Sequence, residues 1–113
     1  MKIRKFHLYY ADLNPQMGTE PGKIRPVVVV QTDLLNDIHP STIVCPLTTK
    51  VHRQANILRV HVAKGSSGLS EDSDILIDQI RAIDNRRFKN QIGELSREEK
   101  KKLLKNLEIL ILE

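Results

Sequence analysis

Four consecutive valines, Val27 to Val30, constrain this chain more than any other feature. An unbroken β-branched run reads as a strand covered on both faces. A chain of 113 residues can supply the core to cover it. The segment before the run has the opposite character. Met17-Gly18-Thr19-Glu20-Pro21-Gly22-Lys23-Ile24-Arg25-Pro26 is a polar loop in which glycine and proline permit a tight, exposed course. Pro26 restricts Arg25 to extended backbone. A guanidinium is therefore fixed where loop meets strand, and a cation held there is a candidate anion site.

The rest of the chain supplies further strands. Phe6–Leu13 mixes aromatic and aliphatic residues near period two and stops at Asn14-Pro15, a turn signal. The valine strand spans Arg25–Gln31, and Leu34–Pro40 is too short and punctuated for more than a turn of helix. A third strand is expected over Thr42–Thr48, bent or at an edge because of Pro46. Ile57–Val62 alternates cleanly and predicts a half-buried strand with Arg59 and His61 outward. Gly65–Gly68 reads as a loop, Asp74–Ile83 as a fifth strand and Ile92–Leu95 as a sixth. The chain closes with a helix. Ser96 and Glu99 have the spacing of a capping box, and Leu103, Leu107, Leu110 and Ile111 form an apolar stripe. Lys100-Lys101-Lys102 reads as the solvated face of that helix. Several short strands and one terminal helix describe a single domain over residues 1–113, mainly β, in a small curled antiparallel sheet or barrel.

Composition excludes several classes. No apolar run approaches the roughly 20 residues of a membrane span. The basic N-terminus, Met1-Lys2-Ile3-Arg4-Lys5-Phe6, has no apolar segment behind it to make a signal peptide. Cys45 is the only cysteine, which rules out an internal disulfide and suits a reducing cytoplasm. A formal charge of +4 and a pI near 9.4 favour an anionic partner mildly. The distribution says more: between Leu47 and Ser70 there is no acid, while Lys50, His52, Arg53, Arg59, His61 and Lys64 all fall there. Such a tract is an electrostatic footprint for phosphate backbones, and equally a solvated loop and strand face.

The residues also limit the chemistry. His7, His39, His52 and His61 are scattered without metal-ligand spacing, so no metal is expected. Neither a phosphate-binding loop nor a dinucleotide fingerprint is present, so no nucleotide cofactor is expected either. Cys45, inside an apolar strand, reads as a buried, inert thiol. What remains is Arg25, Glu20, Thr48, Thr49 and the pair Asp78-Gln79. RNA is cleaved without metal if one group takes the 2′-proton, another stabilises the phosphorane and a third protonates the leaving 5′-oxygen. Arg25 offers a permanently charged fork that matches a phosphate. Thr48 offers a neutral hydroxyl, and Glu20 or Asp78 is the candidate base. The same residues fit a purely structural account in which Arg25 pairs with Glu20 and Thr48 ends a strand.

The run Gly18-x-Glu20-x-x-Lys23-x-Arg25-Pro26-Val27, with Asp12-Leu13-Asn14-Pro15 before it, resembles the signature loop and strand of the MazF/PemK/Kid toxin family. Val44-Cys45-Pro46-Leu47-Thr48-Thr49 resembles that family's second motif, and Asp78-Gln79-Ile80-Arg81-Ala82-Ile83-Asp84 its third. The resemblance implies an SH3-like barrel with a C-terminal helix, a homodimer, and a sequence-specific, metal-independent endoribonuclease. It also implies restraint by a cognate antitoxin with an acidic C-terminal segment. Arg25 and Thr48 match the family's catalytic pair, and cleavage leaves a 2′,3′-cyclic phosphate and a 5′-hydroxyl. Thr19, Lys23, Thr49, Lys50, Arg53, Gln79 and Arg81 are the expected contacts to single-stranded RNA, whose unstacked bases can be read on their edges. Two positions depart from the pattern. Thr19 stands where some members carry His, and Leu76 where some carry an Arg that serves as the acid. Arg25 is accordingly assigned to phosphate charge stabilisation. Other readings are an inactive RNA-binding module and a CcdB-like gyrase poison. The latter class relies on a C-terminal Trp, and this chain has none.

Overall fold

The valine run sits at the centre of the structure. A computed structural model describes residues 1–19 and 23–113. Its elements are β1 (His7–Asp12), β2 (Ile24–Val29), β3 (Ser41–Thr48), β4 (Arg59–Val62), β5 (Ser73–Leu76), β6 (Arg81–Asp84), β7 (Phe88–Glu94) and the helix α1 (Arg97–Leu112). The strands run antiparallel in the order β4-β5-β3-β2-β1-β7, and β6 also pairs with β3. β2 lies between β1, with Tyr9 opposite Val27, and β3, with Val28 opposite Cys45. Period-two alternation then sends neighbouring valines to different cores. Val28 packs with Leu8, Cys45, Ile75 and Leu103, whereas Val27 and Val29 pack with Tyr9, Leu13, Val44 and Phe88. All three valines are fully buried, so the strand is covered on both faces.

The strand expected over 74–83 is two strands. A 3-10 turn, Ile77–Gln79, separates β5 from β6. The cause lies on β3, whose outer edge serves both: Leu47 and Thr48 face β5, and Ser41 to Val44 face β6. Pro46, with no N–H to give, falls in the gap between those two ladders. It is inside the sheet, opposite Val27 of β2, and not at an edge. One further expectation needs adjustment: β7 begins at Phe88, earlier than Ile92. The segment around Leu34–Pro40 forms turns, in line with a stretch too short for more than a turn of helix.

The sheet curls into a barrel-like shape without closing by strand pairing: β4 and β7 end the order and do not pair. The loop Ser66–Gly68 packs across the seam instead. A Cβ at Gly93 would stand 2.3 Å from the Ser67 carbonyl oxygen, and one at Gly68 would stand 2.6 Å from that of Ile92. Only glycine permits so close an approach of two backbones.

The capping box at the start of α1 is present as read from the sequence. Glu99 N–H donates to Ser96 Oγ at 3.2 Å, and Ser96 N–H donates to Glu99 Oε1 at 2.8 Å. The same carboxylate accepts the hydroxyls of Ser66 and Ser67, each at 2.7 Å, which ties the helix to the seam. The apolar stripe holds only in part. Leu103 is buried and Leu107 packs against it, while Leu110 and Ile111 are exposed because the helix outruns the sheet. Asn106 takes part of that face: its Nδ2 donates to the carbonyls of Asn56 and Arg59 and so occupies the open edge of β4.

Candidate nucleic-acid site

The site is built at the mouth of the β1–β2 loop. Leu13 N–H donates to the Lys23 carbonyl, and Lys23 N–H donates to Asn14 Oδ1, each at 2.8 Å, so the base of the loop is stapled shut. Arg25 stands just inside β2, opposite Ala11, with its guanidinium Nη1 donating to the Leu47 carbonyl at 3.3 Å. That bond anchors the guanidinium on the end of β3 that carries Thr48. Thr48 is half-buried at the end of β3, and its Oγ1 accepts the Lys50 N–H at 3.2 Å. A hydroxyl that accepts in this way keeps its own hydrogen to donate. Desolvation lowers the Arg25 pKa below the ordinary arginine value. An arginine with water partly stripped away gains more from an anion than a solvated one does.

Arg25 and Thr48 line a single open cleft of about 480 Å³. Thr19, Lys23, Thr49 and Lys50 line it too, as four of the expected RNA contacts. Gln16 lines it as well, and one polar lining residue, Ser73, was missed by the sequence reading. Ser73 begins β5 next to the residue paired with Thr48, and only that pairing could have located it. No acid and no histidine is among the described lining residues. Asp78 is exposed on the 3-10 turn at the far end of β5 from Ser73, and Gln79 and the half-buried Arg81 follow it there. The structure therefore does not bring Asp78, Gln79 or Arg81 to the lining of this cleft. Glu20 lies outside the described residues.

Arg59 and His61 lie on the face opposite the buried Val60 and Val62, as expected, and converge there on Asp74, whose side chain is only 2% exposed. Asp74 Oδ2 accepts from Arg59 Nη1 at 3.1 Å and from the His52 N–H at 2.8 Å, and its Oδ1 lies 3.3 Å from His61 Nδ1. Arg59 Nη1 also donates to the Lys50 carbonyl at 2.7 Å. A buried carboxylate needs partners, and this one recruits them from β4 and from the segment after β3. The result fixes residues 50–52, the wall behind Thr49 and Lys50. The sequence hint was an acid inside an apolar strand opposite two basic residues at period two. Arg53 lies beyond that wall in a second cleft. Among the described residues no group of three or more His, Cys, Asp and Glu is gathered in a metal-ligating arrangement.

Comparison with known proteins agrees with the fold. Residues 4–111 match the family described as PemK-like, MazF-like toxin of type II toxin-antitoxin system. The chain belongs to that family. It is 36% identical over 107 residues to Endoribonuclease MazF of Staphylococcus saprophyticus subsp. saprophyticus, covering 95% of this chain and 89% of that relative. Among solved structures, MazF from Deinococcus radiodurans superposes with a TM-score of 0.84 at 24% identity, over 100% of this chain and 99% of the other. An endoribonuclease from a mycobacterial species, solved in complex with its cognate antitoxin, gives 0.71 at 17% identity, over 93% and 88%. At these identities the two structures speak to the fold, which is the PemK/MazF-like arrangement of an open, curled sheet with a C-terminal helix.

Proposed function

We propose that this PemK/MazF-like chain is an endoribonuclease toxin that cuts single-stranded RNA at specific sequences without a metal ion. The observation that supports it is the meeting of Arg25 and Thr48, from two different strands, in the lining of one cleft. In the proposed reaction a base removes the 2′-O–H proton and O2′ attacks the adjacent phosphorus. The P–O5′ bond then breaks as O5′ takes up a proton, leaving a 2′,3′-cyclic phosphate and a 5′-hydroxyl. Arg25 stabilises the charge on the phosphorane, and Thr48 donates its hydroxyl hydrogen to a non-bridging oxygen. Glu20 is the proposed base. It follows the cleft residue Thr19 directly in sequence, whereas Asp78 is absent from the lining. Lys23, Thr49 and Lys50 hold flanking phosphates, with Thr19 and Gln16 placed to meet base edges.

The test is primer extension on a long transcript incubated with the protein in EDTA. The wild type should give discrete cuts ending in 2′,3′-cyclic phosphate, and Arg25→Ala should lose at least about a hundredfold in rate with an unchanged circular dichroism spectrum. Full activity in Arg25→Ala would remove the assignment. The same reading places the chain in the cytoplasm as a homodimer, restrained by an antitoxin whose acidic C-terminal segment enters the cleft.

A further inference from the structure

A second cleft, of about 430 Å³, lies between the segment after β3, the edge strand β4 and α1. Its permanent cations are Arg53, Arg59, Lys102 and Lys105, against one carboxylate, Asp74. That carboxylate is already engaged by Arg59, His61 and the His52 N–H. Arg53 reaches Asp72 only at 4.0 Å, with both side chains largely in water. Lys102 and Lys105 form no ion pair among the described residues. They project from one face of α1, three residues apart, where a purely structural role asks nothing of them.

The two clefts share a wall. Thr48, Thr49 and Lys50 line the Arg25 cleft, His52 and Arg53 line the second, and the Asp74–Arg59 bracket fixes the turn between them. A polyanion that extends over Lys50 from the first cleft meets the second. A peptide adding itself as a strand is disfavoured, because Asn106 already occupies carbonyls at the β4 edge. The floor includes Ile57 and Ile109, which suits sugar and base faces beneath a charged rim.

We propose that this second cleft is an accessory subsite for the sugar–phosphate backbone of single-stranded RNA, with Lys102 and Lys105 as its phosphate-binding residues. The inference rests on the ribonuclease reading of the Arg25 cleft. The experiment measures binding of fully 2′-O-methylated RNA, which cannot be cut, as a function of salt. A long oligonucleotide (about 20 nucleotides) and a short one (about 4) bracket the expected site size. In the double variant Lys102→Ala/Lys105→Ala the long RNA should bind about tenfold more weakly. Its log–log salt slope should fall by about 1.4, for two phosphates at about 0.7 each. The short RNA should change by less than about twofold. Lys102→Glu/Lys105→Glu should enlarge the loss on the long RNA. An unchanged slope, or equal losses on both lengths, overturns the subsite. Loss of poly-glutamate binding with RNA affinity intact also overturns it, and assigns the cleft to an acidic peptide. A transcript left uncut by the wild type, with the length-dependent loss still present, would sink the ribonuclease reading alone.

Discussion

Arg25 is held where water reaches it only in part, and that placement sets both its cost and its use. Burial lowers its pKa, but a guanidinium stays charged at any working pH. A phosphate that reaches the fork adds charge-assisted hydrogen bonds to it. Lysine at this position would keep the charge and lose the planar fork, so Arg25→Lys should cleave far more slowly than the wild type, as Arg25→Ala should. Cys45 behaves in the opposite way. Burial, and then the negative charge of Asp78, push its thiol up to about 12. Only the thiolate is nucleophilic, so native protein should not react with a disulfide reagent at neutral pH, and one thiol should titrate after unfolding. Rapid reaction of the folded protein would contradict the packing of β3. The inert thiol was legible from the sequence. Asp74 left only a hint there, an acid beside an apolar run, because its partners come from another strand and a loop.

Among the elements, α1 depends most on one side chain. Glu99 is buried, which by itself raises its pKa, but the backbone N–H of Ser96 and the hydroxyls of Ser67 and Ser66 outweigh that and leave it lowered from 4.5. A carboxylate depressed in the folded state stabilises above its unfolded value and loses that contribution as the pH falls through the folded value. Glu99→Gln should therefore cost about 1–2 kcal/mol in urea unfolding near neutral pH. The gap to wild type should narrow as the pH falls from 4.5 through the lower folded value. A gap that stayed constant with pH would mean the charge is not what holds the seam. The helix start was readable because a capping box is a four-residue pattern, complete in itself. The division of 74–83 into β5 and β6 was not, because no glycine or proline punctuates the run and the break is imposed by β3.

For the whole molecule, the open seam between β4 and β7 is the weak line, and glycine is what lets it close. Gly93→Ala drives a Cβ into the Ser67 carbonyl and should destabilise by about 2–3 kcal/mol. Gly65→Ala meets no atom within 4 Å and should cost only about 1 kcal/mol from its left-handed backbone. Equal losses in the two variants, measured by denaturant unfolding, would mean the seam is looser than described. Charge acts on the same scale. The acidic antitoxin segment proposed for the Arg25 cleft should bind less tightly as salt rises, since exposed pairs are screened. A dissociation constant unmoved between low and high salt would leave apolar contact as the only basis for that complex. What the sequence determined by itself is short-range: the valine strand, the capped helix, and Arg25 at the end of a glycine-rich loop in a recognisable motif order. Neighbours along the chain suffice to specify each of these. The tertiary structure alone decided which residues face one another: Asp74 beneath Arg59 and His61, Ser73 beside Thr48, and one basic tract split between two clefts with lysines of α1 added. Those meetings depend on strand register across many residues, and register is settled by burial of the whole core.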